Sequence, residues 1–175
     1  MDQYSFSTET ESKNKVYLRV IGALIFAWYF MYCALNAQNW HFIDNVDLII
    51  HEAGHWIFIF FGQTISIVGG SFNQVLIPFV FSVYFFLRRD FYSASIVFMW
   101  FGYNFVNVSV YVSDALYMNL PLLGGDSVIH DWNFLLEKFD LLNQAHLFGS
   151  IIRTIGIFVI ITGAVLAVRF AIKKE

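Results

Sequence analysis

The sequence predicts an all-α membrane protein, a polytopic helical bundle of four to five membrane segments. Two observations predict this class: 58% of the 175 residues are hydrophobic and only 13% are charged. A soluble domain carries about 25% charged residues, so this chain has roughly half the charge that a water-facing surface needs. The formal net charge is -3, which offers no basic field for nucleic acid. We therefore expect a lipid bilayer around the protein and no nucleic-acid partner.

Five apolar runs are the candidate membrane segments. A spanning helix needs about 20 mainly apolar residues, and the first and fourth runs are long enough to span alone. The runs cover residues 16–37, 48–61, 75–87, 91–112 and 154–168. Residues 1–15 are predicted as a polar N-terminal tail, and 16–175 as one integral membrane domain. Within the connection 113–147, apolar residues at helical spacing predict a further amphipathic helix near its end.

The pentapeptide His51-Glu52-Ala53-Gly54-His55 carries the chemistry. On a helix, His51 and His55 lie one turn apart on one face, so both imidazoles can bind one cation, with Glu52 beside the open coordination position. Zinc lowers the pKa of its bound water towards about 7, and a neighbouring carboxylate can take that proton and later give it to a leaving amine. We predict His51 and His55 as zinc ligands and Glu52 as general base and acid. The alternative is two histidines and a glutamate satisfied by hydrogen bonds, which is costly on an apolar segment.

The surrounding sequence LIIHEAGHWIFIFFG resembles the intramembrane zinc metalloproteases of the site-2 protease family, which place HExxH in a membrane helix. The resemblance covers about residues 50 to 126. It implies a membrane-embedded peptidase with a zinc ion, acting on a membrane protein or peptide substrate. In that family the third zinc ligand is an Asp next to Gly on a later segment, which implies Asp126 here. The sequence Gly69-Gly70-Ser71-Phe72-Asn73 is similar to the family's Gly-x-x-x-Asn pattern, and we predict that Asn73 steadies the oxyanion.

Asp126 and His130 have alternative interpretations. Asp126 follows two glycines and precedes an apolar pattern, which is also typical of a helix N-cap. His130 lies four residues further on. As a fourth ligand it would close a tetrahedral shell and indicate a structural zinc; without it, three ligands leave a position for water. It could instead donate to the oxyanion, or pair with Asp131 as a surface histidine. We predict the open site, with His130 as a catalytic accessory.

Three further polar patterns accompany the motif. Residues 64–67 alternate polar and apolar before two glycines, which predicts either a short re-entrant strand or a connecting loop. In site-2-type proteases a strand at this place is thought to hold the substrate in extended form. Asp44 and Asp47 precede the motif at helical spacing, and either orient an imidazole or stabilise the helix N-terminus. Polar residues at helical spacing in the fourth run predict interhelical hydrogen bonds; these are Asn104, Asn107, Tyr111 and Asp114.

The membrane topology stays open between two arrangements. If all five runs cross, the ten basic residues divide five against five. If residues 48–73 instead enter the membrane and return to the same side, the ten basic residues divide eight against two. Both chain ends and the Arg88-Arg89 turn are then cytoplasmic. The charge rule favours four crossings, whereas the family resemblance implies a spanning second helix. We expect a multi-pass protein of a bacterial cytoplasmic membrane. The competing function is a non-catalytic zinc-binding assembly or partner-binding protein.

Overall fold

The chain is helical almost throughout. A computed structural model describes residues 2–121 and 129–173, and side chains from residue 13 onward. These residues form six α-helices and two short 3-10 turns, and this described part contains no strand. The helices are α1 (Asp2–Leu35), α2 (Phe42–Ile57), α3 (Gln63–Leu87), α4 (Phe91–Asp114), α5 (Asp131–Lys138) and α6 (Ala145–Ile172). The 3-10 turns are Ile59–Phe61 and Leu142–Gln144.

Four helical stretches are long and apolar enough to cross a membrane. They are Lys13–Leu35, Gln63–Leu87, Phe91–Asp114 and Leu142–Ile172. Each contains or overlaps one of the predicted runs, which fits the predicted helical bundle. The remaining predicted run, 48–61, falls mainly in α2, whose 16 residues span only about 24 Å. The amphipathic helix predicted in the connection is α5.

Helix α4 lies at the centre of the bundle, against α1, α3 and α6. Its Met99, Tyr103 and Val106 are almost completely buried and pack with Ile160 of α6 and Phe30 of α1. Burial of such apolar side chains between helices also excludes lipid from the space around α4. Helices α2 and α3 are joined to α4 by polar contacts, which are described with the site below.

The two ends of the bundle are built from different elements. At one end, the Arg19 guanidinium lies 5.0 Å from the Tyr92 ring centroid, and Phe91 stacks on Phe170 at 5.2 Å. That end therefore contains the beginning of the first span, the turn between α3 and α4, and the end of α6. At the other end, Lys138 Nζ of α5 donates to Thr64 Oγ1 at 2.6 Å. Helix α5, which belongs to the connection between α4 and α6, packs against α3 at that second end.

Helices α2 and α3 form an antiparallel pair. The chain reverses at the 3-10 turn and at Gly62, whose φ of 91° is a left-handed conformation that glycine adopts without steric cost. Gly54 and Gly69 let the two backbones approach closely, since a Cβ on Gly54 would overlap the Gly69 carbonyl oxygen. Asn73 Nδ2 donates to the Ile50 carbonyl at 2.7 Å and joins the helices one turn further on.

Both alternatives predicted for residues 64–67, a re-entrant strand and a connecting loop, are wrong. These residues form the first turn of α3, and the two glycines that follow lie inside the same helix. The polar and small residues there repeat at helical intervals and face α2; they are Ser66, Gly69, Gly70, Asn73 and Gln74. The four-residue alternation was too short to distinguish this stripe from a strand. Because the backbone hydrogen bonds of this segment belong to the helix, it cannot pair with an extended substrate.

Candidate metal centre

Three ligand-type side chains converge at the end of the bundle that α5 covers. Asp131 Oδ2 lies 3.0 Å from His51 Nε2 and 3.3 Å from His55 Nε2. His51 and His55 lie one turn apart on α2, and Asp131 is the first residue of α5. The three ligand atoms all lie within 4.8 Å of one another. The group could therefore hold one metal ion.

His55 is oriented by a backbone carbonyl. Its Nδ1 lies 2.9 Å from the carbonyl oxygen of Ser66, and the Ser66 hydroxyl donates back to the His55 carbonyl at 2.9 Å. A carbonyl oxygen only accepts hydrogen bonds, so Nδ1 of His55 carries a proton. In the neutral imidazole, Nε2 then presents its lone pair to Asp131.

His51 is oriented by a chain of three polar side chains, of which Asp44 and Gln74 are buried and Asn107 is half-buried. Asp44 Oδ1 accepts from Asn107 Nδ2 at 3.0 Å, and Asn107 Oδ1 accepts from Gln74 Nε2 at 2.8 Å. Gln74 Oε1 lies 3.0 Å from His51 Nδ1. A carboxylate only accepts, so it fixes which way the Asn107 amide points, and Asn107 in turn fixes the Gln74 amide. Nδ1 of His51 must therefore donate to Gln74, which leaves Nε2 as a lone pair.

The hydrogen-bond partners thus direct two imidazole lone pairs and a carboxylate oxygen at one point. Three acceptors this close repel one another unless a cation or extra protons lie between them. Histidine ligands of metals typically donate their second ring N–H to a carbonyl or a carboxylate-type acceptor, as both histidines do here. The donor set fits a divalent ion bound through both Nε2 atoms and Asp131.

The spacing of the group also fits a small metal ion. Tetrahedral zinc with bonds of about 2.1 Å places its ligand atoms about 3.4 Å apart. Asp131 Oδ2 lies 3.0 and 3.3 Å from the two nitrogens, close to that value. A Cβ at Gly70 would lie 2.6 Å from Nε2 of both histidines. The absence of a side chain at Gly70 therefore leaves the space in which the two rings converge.

Asp131 is positioned by hydrogen bonds from its own backbone and from the neighbouring Trp132. Its backbone N–H donates to the Tyr111 hydroxyl at 3.0 Å, and Trp132 Nε1 beside it donates to Ser71 Oγ at 3.0 Å. Burial acts to raise the pKa of Asp131, but His51 and His55, which donate to its carboxylate when their rings are doubly protonated, outweigh burial and hold that pKa below its usual value. The carboxyl group is therefore ionised near neutral pH, the state that a metal ligand requires.

The group is accessible from one side. His51 and Asp131 are 7% and 6% exposed, whereas the His55 side chain is 24% exposed. Glu52 is half-buried on the same helix, about 100° around the axis from His51. His51 and Asp131 are thus enclosed, whereas His55 and Glu52 lie on the side of the group that is partly exposed.

The structure adds Asp131 as a site residue that the sequence motifs did not identify. The predicted third ligand, Asp126, lies outside the described residues, so that prediction stays a prediction. The sequence patterns suggest for Asp131 only the role of a partner to a surface His130. One sequence signal points to Asp131: it stands at the start of the predicted amphipathic helix. The apolar face of such a helix packs against the bundle, which brings its first residue close to the other helices.

His130 caps α5 and belongs to a different cluster. It is 4% exposed, its Nδ1 accepts from the backbone N–H of Asn133 at 3.2 Å, and its Nε2 lies 3.5 Å from Asp114 Oδ2. Burial lowers its pKa, so the ring is neutral. The interpretation as a surface histidine paired with Asp131 is wrong, since His130 is buried and faces Asp114. Its predicted role as a catalytic accessory remains a prediction.

Several of the other predicted polar residues link helices, whereas Asn104 donates to a carbonyl of its own helix and Asp114 accepts from the backbone just after α4. Asn73 binds the Ile50 carbonyl, so its visible role is to fasten α3 to α2, and its predicted oxyanion role stays a prediction. Asp44 accepts from the His41 backbone at the start of α2 as well as from Tyr103 at 2.6 Å. Asp47 accepts from Trp100 Nε1 at 2.8 Å. Asp44 therefore combines both predicted roles: it stabilises the helix start and orients His51 through two amides.

No family model, curated protein or solved structure matches this chain. What the fold and the site define is a helical bundle with four potential membrane spans and a His-His-Asp group at one end.

Replacing Gln74 tests whether the buried chain orients His51. In Gln74→Leu, the His51 N–H and the Asn107 carbonyl oxygen lose their partner, so His51 is free to change tautomer or rotate. We expect the affinity for zinc to fall about 10- to 100-fold, the usual effect of removing such a supporting partner. Gln63→Leu, at an exposed position of the same helix, is the matched control. Equal zinc affinities for the two variants in a competition titration would show that the chain has no such role.

Proposed function

We propose that this protein is a membrane-embedded zinc-dependent peptidase that hydrolyses peptide bonds at or within the bilayer. His51, His55 and Asp131 hold the metal, and Glu52 acts as general base and acid. The observation that carries the proposal is the convergence of two imidazole lone pairs and one carboxylate oxygen beside a partly exposed glutamate. The four candidate spans support a multi-pass protein, and we propose that its substrate is a membrane protein or peptide.

The roles follow from the positions of the chain's own groups. Zinc bound here would supply a Lewis acid that polarises a peptide carbonyl and makes water acidic. Glu52 takes a proton from the attacking water and gives it to the amine that leaves. His51 and His55 stay fixed through Gln74 and the Ser66 carbonyl, so that little reorganisation is needed during the reaction. The 24% exposed edge at His55 is where a substrate segment enters.

A substrate helix must unwind before it can be cut, because its carbonyls are bonded within its own backbone. The proposed site lies at the end of the bundle, near the level where a membrane helix ends and water is available. Helix ends fray at low cost, since their last carbonyls lack intrahelical partners. The favoured cleavage positions are therefore at or near the end of a substrate helix.

The test is an assay of the purified protein in lipid vesicles with quenched fluorescent peptides that contain one membrane-spanning helix. We expect cleavage with added zinc, loss of cleavage with the chelator phenanthroline, and recovery on adding zinc back. A fully zinc-loaded protein that cleaves none of a varied set of such peptides would contradict the proposal.

A non-catalytic zinc-binding assembly or partner-binding protein is the second candidate. The burial of His51 and Asp131 favours it, since structural metal sites are closed to solvent. It predicts that removing the metal unfolds or dissociates the protein, with the same effect in the wild type and in Glu52→Gln.

A further inference from the structure

The basic residues are distributed unequally between the two ends of the bundle. Toward the end formed by Tyr92, Phe91 and Phe170 lie most of the basic residues that the structure describes. These are Lys13, Lys15, Arg19, Arg88, Arg89, Arg169 and Lys173. The half of the bundle that leads to the other end contains Lys138 and Arg153. We call the end formed by Tyr92, Phe91 and Phe170 the basic end.

The His-His-Asp group lies at the opposite end. Asp131 belongs to the connection between α4 and α6, outside both spans. His55 contacts Ser66 in the first turn of α3, far along that helix from the Arg88-Arg89 turn. This placement of the His-His-Asp group does not depend on how α2 crosses or enters the membrane. It rests on Asp131, which follows the α4 span, and on Ser66, which lies at the start of α3.

The packed core separates the group from the basic end. Met99, Val106 and Ile160 are 0% exposed and fill the space between α1, α4 and α6. A peptide that started from the basic end would have to displace this core. Access therefore comes from the end where the group lies, or laterally from the adjacent lipid.

Short loops and span ends rich in lysine and arginine stay on the cytoplasmic side of a membrane, whereas acidic residues contribute little to orientation. We propose that the basic end is cytoplasmic and that the His51, His55 and Asp131 group faces the non-cytoplasmic side, from which its metal ion and substrate arrive. The substrate class is then a peptide segment at the non-cytoplasmic surface, including the outer end of a membrane helix. The substrate part rests on the proposed function, whereas the orientation does not.

The orientation is tested with single cysteines in a Cys33→Ser background, since Cys33 is the single cysteine of the chain and is fully buried. Glu137→Cys on the exposed side of α5 marks the site end, and Asp90→Cys marks the basic end. Sealed right-side-out vesicles are treated with a membrane-impermeant maleimide. We expect Glu137→Cys to be labelled at least about ten times faster than Asp90→Cys, and similar rates after permeabilisation.

A second pair of positions serves as a control, because Asp90 accepts from the Ser93 N–H at the start of α4 and replacing it could disturb that helix end. Phe139→Cys and Leu87→Cys replace exposed residues near the same two ends and leave all charges in place. Faster labelling of Asp90→Cys or Leu87→Cys, or equal labelling at both ends before permeabilisation, would overturn the proposal. Labelling requires no metal, so outside labelling of a chain that binds no zinc would refute the peptidase proposal while leaving the orientation intact.

Discussion

The expected result for Asp131→Asn is loss of zinc binding, and for Asp126→Asn its retention. Asparagine has the same shape as aspartate but no charge, so the change removes the negative ligand while the Tyr111 hydrogen bond to the backbone of residue 131 persists. We expect zinc affinity to fall more than about 100-fold, because replacing even an indirect partner of a zinc ligand costs 10- to 100-fold. The measurement is a competition titration with a fluorescent zinc chelator, in detergent and without a histidine tag.

The two aspartates form a matched pair for this experiment. They carry the same charge, lie five positions apart, and represent the geometric and the motif-based choice of third ligand. Asp140→Asn, at an exposed position with φ of 58° that asparagine tolerates, controls for the loss of one charge in the same connection. Full zinc affinity in Asp131→Asn together with weak binding in Asp126→Asn would remove Asp131 from the site and restore the family-like assignment.

For Glu52→Gln we expect zinc to be retained and the proposed hydrolysis to be lost. Glutamine retains the size of the side chain but cannot accept the proton of water, and Glu52 is not one of the three converging ligands. We expect kcat to fall about 10²- to 10⁴-fold, the range found for general acid–base groups, with zinc affinity unchanged within about twofold. Cleavage is measured in vesicles with the same spanning peptides.

Glu137→Gln, on the exposed side of α5, removes one carboxylate at the same end of the protein and should leave cleavage unchanged. Wild-type turnover by Glu52→Gln would exclude Glu52 as the base. If Glu52→Gln and Glu137→Gln both lost zinc and activity, the cause would be the removal of negative charge near the site or a folding defect. The role assigned to Glu52 would then be wrong.

Local sequence patterns predicted most of the helices, because a long run of apolar residues is enough to indicate a membrane-spanning helix. The long apolar runs at 16–37 and 91–112 correspond to helical spans, and HExxH predicted two imidazoles on one helix face. The failure at 64–67 has a definite cause. Ser66, Gly69 and Gln74 face α2, so their period is that of a helix packed against another helix, and a window of four residues does not reveal it.

The third member of the metal group could not be derived from spacing. Asp131 follows His55 by 76 positions and meets it through the packing of α5 against α3, which no local period encodes. The chain from Asp44 through Asn107 and Gln74 to His51 likewise joins three helices. The sequence indicated that these groups were polar within apolar segments, and therefore partnered, but the identity of each partner depends on the tertiary fold.

The most direct test of the metal centre is the metal content of the purified wild-type protein beside that of a His51→Ala, His55→Ala double variant. Both are prepared in mild detergent without histidine tag or chelator, equilibrated with buffered zinc and analysed by elemental mass spectrometry. We predict about one zinc per wild-type chain and background zinc in the double variant. Background zinc in a folded wild type, or equal zinc in both proteins, would mean that protons rather than a metal ion hold the two imidazoles and Asp131 together.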